Sequence, residues 1–318
     1  MVAEKSAPYV LVIGSSSVDV SALTATLPKP GETVIGHRSI IGVGGKGANQ
    51  AVAAAACGAT TDFVGRVGPD SFGQMVRDGL AARNVGIGEI RTIADAATGL
   101  AVIFVEDSSQ NCIIVVSGAN ARIEPADVDA VLPLIRGAAV VVLQCEIPME
   151  SVYRAIELAA ASRIPVILNP APFRGLDLAR IAKRVTYLIP NETEASQMYG
   201  KPVETVEQAE SCAAWIHAQG IECVIITLGA QGCLVRDERP GRHVSGHRVP
   251  AIDTTGAGDA FVGCLAASLA TGHSRDESVR RAVLYSAMST TRPGAQVSYP
   301  DRQEFERAWT NHVEKGPG

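Results

Sequence analysis

The stretch Asp253-Thr254-Thr255-Gly256-Ala257-Gly258-Asp259 sets a Gly-x-Gly turn and a carboxylate directly before an apolar run, Ala260 to Ala270. The turn leaves backbone N–H groups uncovered. At a helix N-terminus those donors and the positive end of the dipole favour an anion such as a phosphate. A carboxylate beside a bound phosphate is electrostatically costly unless it has a task there. Taking the proton from a hydroxyl that attacks the phosphate is such a task. The competing reading makes Asp259 a simple helix cap.

Two further patterns carry polar groups at a chemical spacing. Asn191 and Glu194 are three apart at the start of a helix, so both can face one side, about 5–6 Å apart at Cβ. An amide with a carboxylate suits a Mg2+ that keeps its waters and bridges phosphates. The same pair also fits a capping box, and the sequence leaves both readings open. Gly42-x-Gly44-x-x-Gly47 matches the dinucleotide fingerprint, with Asp62 twenty residues after Gly42. Two points oppose an NAD-dependent enzyme. Asp62 precedes a strand where the ribose-binding acid should end one, and the first convincing strand leads into Ser15-Ser16-Ser17 with no glycine fingerprint. A Walker A loop fails too, because Gly45-Lys46 is followed by Gly47 and not by Ser or Thr. These glycines read instead as backbone brought close to a small polar ligand, with Asn49 supplying an amide.

The elements that position these groups follow an α/β pattern. Tyr9–Ile13 and Thr61–Val67 read as strands, Gln50–Cys57 as an alanine-rich helix, and Asp70 as the N-cap of a helix to about Asn84. Ser15–Gly36 looks irregular, with a short strand from Thr33 to Ile41. Leu100–Val105 and Cys112–Val116 flank a polar hairpin turn. With the strands near 15–40 they make a small antiparallel sheet that projects as a lid or an oligomer contact. From Ala138 strands and helices alternate: strands at 138–143, 164–168, 185–189 and 222–228, a hairpin over 232–249, and helices at 149–162, 206–219, 258–271 and 276–291. That alternation means parallel strands between helices. Ligands bind beyond the carboxyl ends of such strands, and there stand Gln144-Cys145-Glu146, Asn169, Asn191 to Glu194, and Gly229 to Gly232. One site is implied, which 253–259 completes.

Composition narrows the class. A 47% hydrophobic fraction supports a large core in 318 residues, and a net charge of −5 gives no reason to expect nucleic acid as a partner. The 7 cysteines are scattered without a Cys-x-x-Cys, and the 6 histidines show no ligand spacing, so the thiols read as reduced and no metal centre is drawn from these residues. The polar start, Met1 to Pro8, leads into too short an apolar run for a signal peptide, and no later run reaches spanning length. A cytoplasmic protein without membrane contact is expected.

Gly44-Gly45-Lys46-Gly47-Ala48-Asn49-Gln50-Ala51 resembles the N-terminal signature of the ribokinase-like (PfkB-type) carbohydrate kinases, and Asp253-Thr-Thr-Gly-Ala-Gly-Asp259 resembles their C-terminal one. Asn169-Pro-Ala-Pro172, Pro190-Asn-Glu-Thr-Glu-Ala195 and Thr227-Leu-Gly229 fall in the family's order, so the similarity runs from about Tyr9 to Phe305. The resemblance implies a single α/β kinase domain over residues 1–318, three-layered with a mostly parallel sheet, its lid strands inserted from about 15–42 and 99–117. It implies an ATP-dependent sugar kinase acting on the primary O5 hydroxyl of D-ribose, with deoxyribose, another pentose or ketose, or a nucleoside as alternatives. Asp259 would be the base, and the N–H groups of Gly256, Ala257 and Gly258 the anion hole. Asp19, Gly44, Gly45, Lys46, Asn49 and Glu146 would bind the sugar. Asn191, Thr227, Gly229, Gly232 and Gly258 would meet the nucleotide, and Asn191 and Glu194 would orient Mg2+ through water. Asp253, Thr255, Gly294 and Ser298 match a monovalent-cation site, expected to prefer K+. The lid would also be the contact of a homodimer. One departure stands at Ser17, where ribokinases commonly carry an asparagine. It leaves the reaction class intact and bears on the sugar. A non-catalytic sugar sensor on the same scaffold is disfavoured, because a sensor has no need of the base Asp259.

Overall fold

Val10–Ile13 forms a strand buried on both faces, as an apolar run without polar alternation requires in the middle of a parallel sheet. The chain is seen in a computed structural model that describes residues 8–108 and 110–314. The polar lead-in at 1–7 and Ser109 of the hairpin turn lie outside the described residues. In chain order the strands are β1 (Val10–Ile13), β2 (Ser17–Thr24), β3 (Arg38–Gly44), β4 (Thr61–Val67), β5 (Val85–Thr92), β6 (Gly99–Glu106) and β7 (Asn111–Val116). The second half adds β8 (Val140–Gln144), β9 (Val166–Asn169), β10 (Tyr187–Leu188), β11 (Cys223–Thr227), β12 (Gly232–Arg236) and β13 (Arg242–Ser245).

Nine of them make one sheet in the order β13-β12-β11-β10-β9-β8-β1-β4-β5. It is parallel from β5 to β11, and β12 and β13 close it antiparallel. Side chains alternate across it. Val10 and Val12 enter a core shared with the helices Lys46–Ala56, Ala257–Ala270 and Arg275–Ser289. Leu11 and Ile13 enter a second core, with the helices Met149–Ala161 and Val206–Ala218. The architecture is therefore the expected three-layer α/β/α. Asp70 caps the helix Ser71–Ala82 as expected, its carboxylate accepting from Gly73 N at 2.8 Å.

Several local expectations are corrected. The stretch 15–36, read as irregular, holds β2, and the strand expected over 33–41 runs instead at Arg38–Gly44, where it pairs with β2. β5 lies in a stretch that gave no strand signal: two glycines and the charged Glu89 and Arg91 blur its pattern, which an edge strand with one neighbour tolerates. The first helix begins at Lys46, not Gln50, because Gly45 breaks the strand direction at φ 88° and the helix starts at once. Finally, the small sheet, β3-β2-β6-β7, is mixed. Its two outer pairs are antiparallel as expected, but β2 and β6 run parallel over their whole length. The reason is topological: β2 leaves the carboxyl end of β1, β6 follows the carboxyl end of β5, and strands leaving the same edge of a parallel sheet head the same way. The outer half of this sheet is apolar and open, with Ile40, Ile41, Ile113, Ile114, Val115 and Val116 all exposed.

Candidate active site

The carboxyl ends of the parallel strands deliver polar residues to one edge. β1 leads to Ser15, β8 ends at Gln144 just before Glu146, β9 ends at Asn169, and an isolated bridge pairs Asn191 with Thr227 beyond β10 and β11. Two helices point their N-termini at the same edge, those beginning at Lys46 and Ala257. A single left-handed residue, Gly45, joins the end of β3 to the Lys46 helix.

Asp259 is 6% exposed. It is not the cap of its helix: that position belongs to Gly256, in the left-handed region at φ 75° and without a side-chain cap. A Cβ on Gly256 would stand 2.8 Å from both Ala295 Cβ and the Tyr299 hydroxyl, so glycine is required there on two counts. The two oxygens of Asp259 are taken instead by the neighbouring helix. Asn49 Nδ2 donates to Oδ2 at 3.0 Å and Gln50 Nε2 to Oδ1 at 2.9 Å. Burial pushes the Asp259 carboxyl above the ordinary carboxylate range, against the pull of the Lys46 ammonium and the two amides. In front of it the N–H groups of Gly256, Gly258 and Asp259 have no acceptor among the described residues, and a Cβ on Gly258 would meet open space. The third expected anion-hole donor, Ala257 N–H, is turned to the Thr254 carbonyl at 3.2 Å.

The other side of the cleft holds Lys46 among acids. Its ammonium is held above its ordinary range by Asp259 first, in spite of burial, and then by Glu146 and Glu194. Glu146 Oε2 accepts from Lys46 N at 3.0 Å and from Ser15 Oγ at 2.5 Å. Asp19 stands against bare backbone, since a Cβ on Gly44 would lie 2.1 Å from its Oδ2. Burial raises the Asp19 carboxyl, and the Ser17 hydroxyl that donates to its Oδ1 at 2.9 Å draws it back. Ser17 therefore faces the expected sugar-binding aspartate and does not leave a simple gap.

Asn191 and Glu194 form a true capping box. Asn191 Oδ1 accepts from Glu194 N at 2.8 Å, and Glu194 Oε2 accepts from Asn191 N at 3.0 Å. That uses the Asn191 oxygen and leaves Glu194 Oε1 without a donor among the described residues. Gly229 and Gly232 carry the chain in left-handed conformations round the turn between β11 and β12. Asp253 accepts from Thr255 N (2.9 Å), Thr255 Oγ1 (2.7 Å) and Gly294 N (2.7 Å). Burial pulls this carboxyl up, but the three donors win and keep it below its ordinary range. The Ser298 hydroxyl is turned inward onto Ala295 O at 2.8 Å.

A buried carboxylate near a helix N-terminus, beside N–H groups without an acceptor among the described residues, suits phosphotransfer chemistry. The model of the pfkB family of carbohydrate kinases matches residues 7–302. The chain belongs to that family. Among proteins of this kind, the deoxyribokinase of Salmonella typhi is 37% identical over 297 residues, 93% of this chain and 97% of that protein. The ribokinase of Haemophilus influenzae is 38% identical, over 92% of this chain and 95% of its own length. The structure of Arabidopsis thaliana ribokinase complexed with ribose and ATP superposes with a TM-score of 0.87 at 32% identity, covering 95% of this chain and 98% of that one. As a carbohydrate kinase the chain is a phosphotransferase that uses ATP with Mg2+. Among the described residues no helix is long and apolar enough to cross a membrane. Sequence reasoning missed Gln50 and Gln296, which join this cluster around Asp259 and Asn49. Gln50 stands beside Asn49 in the same motif, which was a usable signal. Gln296, which donates to Asn49 Oδ1 at 2.9 Å, gave none.

Proposed function

We propose that this kinase phosphorylates the O5 hydroxyl of a pentose, D-ribose first, giving the 5-phosphate and ADP. The observation that carries the reading is Asp259: buried, held by two amides, and set beside N–H groups without an acceptor among the described residues. Asp259 accepts the proton of the sugar hydroxyl as its oxygen attacks the γ-phosphorus, the bond to the β–γ bridging oxygen breaks, and ADP leaves. Gly256 and Gly258 N–H groups take the charge of the transferring group; Ala257 joins them by releasing Thr254 O. Asp19, Gly44, Gly45, Lys46, Asn49 and Glu146 hold the sugar. Asn191, Thr227, Gly229, Gly232 and Gly258 meet the nucleotide.

The donor set fits a Mg2+ held mostly by phosphates and water. No group of three His, Cys, Asp or Glu that could hold a metal ion occurs among the described residues, and Glu194 Oε1 with the Asn191 amide supplies only an outer contact. Bound there, Mg2+ supplies neutralisation of phosphate charge. Asp253, Thr255, Gly294 and Ser298 would hold a monovalent cation, K+ in preference, behind the anion hole. The ionised Asp253 supports this, and Ser298 would contribute its carbonyl. The chain acts as one kinase unit over 1–318, in the cytoplasm, and pairs through the small sheet into a homodimer.

A second reading, 2-deoxy-D-ribose, is favoured by the Ser17–Asp19 bond, which takes up part of the Asp19 capacity for a sugar hydroxyl, and by the deoxyribokinase relative. ADP release over D-ribose, 2-deoxy-D-ribose, D-arabinose and a nucleoside separates them by kcat/KM. Both pentoses are expected to react, within about tenfold of each other, since one hydrogen bond is worth about 0.5–1.5 kcal/mol. No ADP release with any pentose overturns the assignment.

A further inference from the structure

The two donors on Asp259 are consecutive residues, and they differ in what else they face. Asn49 looks into the sugar cleft and is held from behind by Gln296. Gln50 is fully buried and walled by amides. Besides Asp259 Oδ1, its Nε2 donates to Asn169 Oδ1 at 3.2 Å, and its Oε1 accepts from Gln144 Nε2 at 2.6 Å. Asn169 Nδ2 is spent on the Ile189 carbonyl at 2.8 Å, which keeps its Oδ1 turned to Gln50. Turning the Gln50 amide over would set its oxygen against two acceptors, Asn169 Oδ1 and Asp259 Oδ1, and its nitrogen against the Gln144 donor. Asn169 and Asp259 enforce one orientation, and Gln144, whose own Oε1 has no partner among the described residues, presents its donor to match. A buried group that can only donate favours the ionised form of the carboxylate it meets.

We propose that Gln50 is a positioning residue for the reaction: its locked amide keeps the Asp259 carboxylate ionised and in one plane. The proposal rests on the reading of Asp259 as the base. Other ionisable groups act on Asp259 through space: Lys46 on the same helix as Gln50, Glu146 after β8, Glu194 at the Asn191 cap, Asp19 on β2 and the Tyr299 phenol. None of them donates a hydrogen bond to Oδ1 among the described residues. Among the described residues Gln50 alone donates to that oxygen. Gln50 cannot touch the sugar itself, so its loss should move a proton equilibrium and not sugar affinity.

The test compares the parent with Gln50→Leu, Gln144→Met and Asp259→Asn. It reads the acid limb of kcat/KM for the sugar against pH, and the midpoint of the Asp259 carboxyl by carbon NMR in the protein without nucleotide. In Gln50→Leu both midpoints are expected to rise by about one pH unit, with turnover about tenfold down below the limb and recovering above it, and sugar KM within about threefold. Gln144→Met, which removes the donor on Gln50 Oε1 and so loosens the amide, is expected to give a smaller rise of the same sign and carries the test if Gln50→Leu does not fold. Lowered thermal stability with unmoved midpoints in whichever variant folds makes Gln50 a packing residue and overturns the proposal. Asp259→Asn with turnover within a few-fold of the parent overturns the base assignment instead, so the two failures are told apart.

Discussion

Asp259 is caught between burial, which favours its protonated form, and two amides with Lys46, which favour the ionised one. A base works only when ionised. Turnover is therefore expected to climb as pH rises through a midpoint above about 3.9, the ordinary aspartate value, and a limb at or below that value would count against burial as the ruling influence. Asp259→Asn is expected to keep sugar and ATP binding by calorimetry and to lose about 10²–10⁴-fold in turnover; activity within a few-fold of the parent would show that the carboxylate does no proton transfer. Asp253 sits a few residues upstream and is ionised for the opposite reason, because donors outweigh burial. An ionised acid behind the anion hole predicts that K+ raises the rate over Na+ or a bulky organic cation. Equal rates in all three salts would remove the cation from the mechanism.

The small sheet raises its own question at the level of elements. Registered partners share a face, so Ala101 and Val115 lie on the face of Asp19, and Val102 and Ile114 on the opposite face with Val20, which packs against the core. In the outer strand both faces are exposed: Ile113 and Val115 on one, Ile114 and Val116 on the other. One chain cannot cover both sides of its own edge strand, and a second copy can. Ile114→Glu is expected to convert a dimer to a monomer by light scattering, and a parent that is already monomeric at micromolar concentration would refute the pairing. Much of this was legible in advance. The glycine turns at 44–47 and 256–258 are readable because free N–H groups and left-handed backbone demand particular residues, and the strand ends stand out because polar residues interrupt apolar runs. The parallel pairing of β2 with β6 was not legible, since it depends on which edge two distant segments leave. Nor were the amide contacts: Gln144 meets Gln50 and Gln296 meets Asn49 only in three dimensions, although Gln50 itself stood beside Asn49 in the motif.

Across the whole molecule, chemistry and cohesion are kept at opposite edges of the main sheet. Far from the cleft, Asp237 is fully buried and ion-paired with Arg239 (2.6 Å), Arg242 (3.1 Å) and Arg275 (3.3 Å). The Arg239 guanidinium first, and then Arg242, hold its carboxyl well below the ordinary range against burial. A folded midpoint below the unfolded one means stability that is complete above about pH 4 and drains away as pH falls further. Asp237→Ala takes a shared partner from three arginines that keep Asp276, Glu222 and Glu238, and is expected to cost about 2 kcal/mol in urea unfolding, with sugar and ATP KM unchanged; a raised KM would show that the two edges are coupled. At the cleft, by contrast, motion has a direct line. The strand β3 hands over to the Lys46 helix through Gly45 alone, so any swing of the small sheet reaches Asn49 and Gln50 within one turn. Sugar binding and the placing of Asn49 and Gln50 on Asp259 are then expected to be coupled, so that nucleotide bound without sugar is spared hydrolysis. The ratio of idle to sugar-driven ATP consumption is the quantity in which that thrift is written.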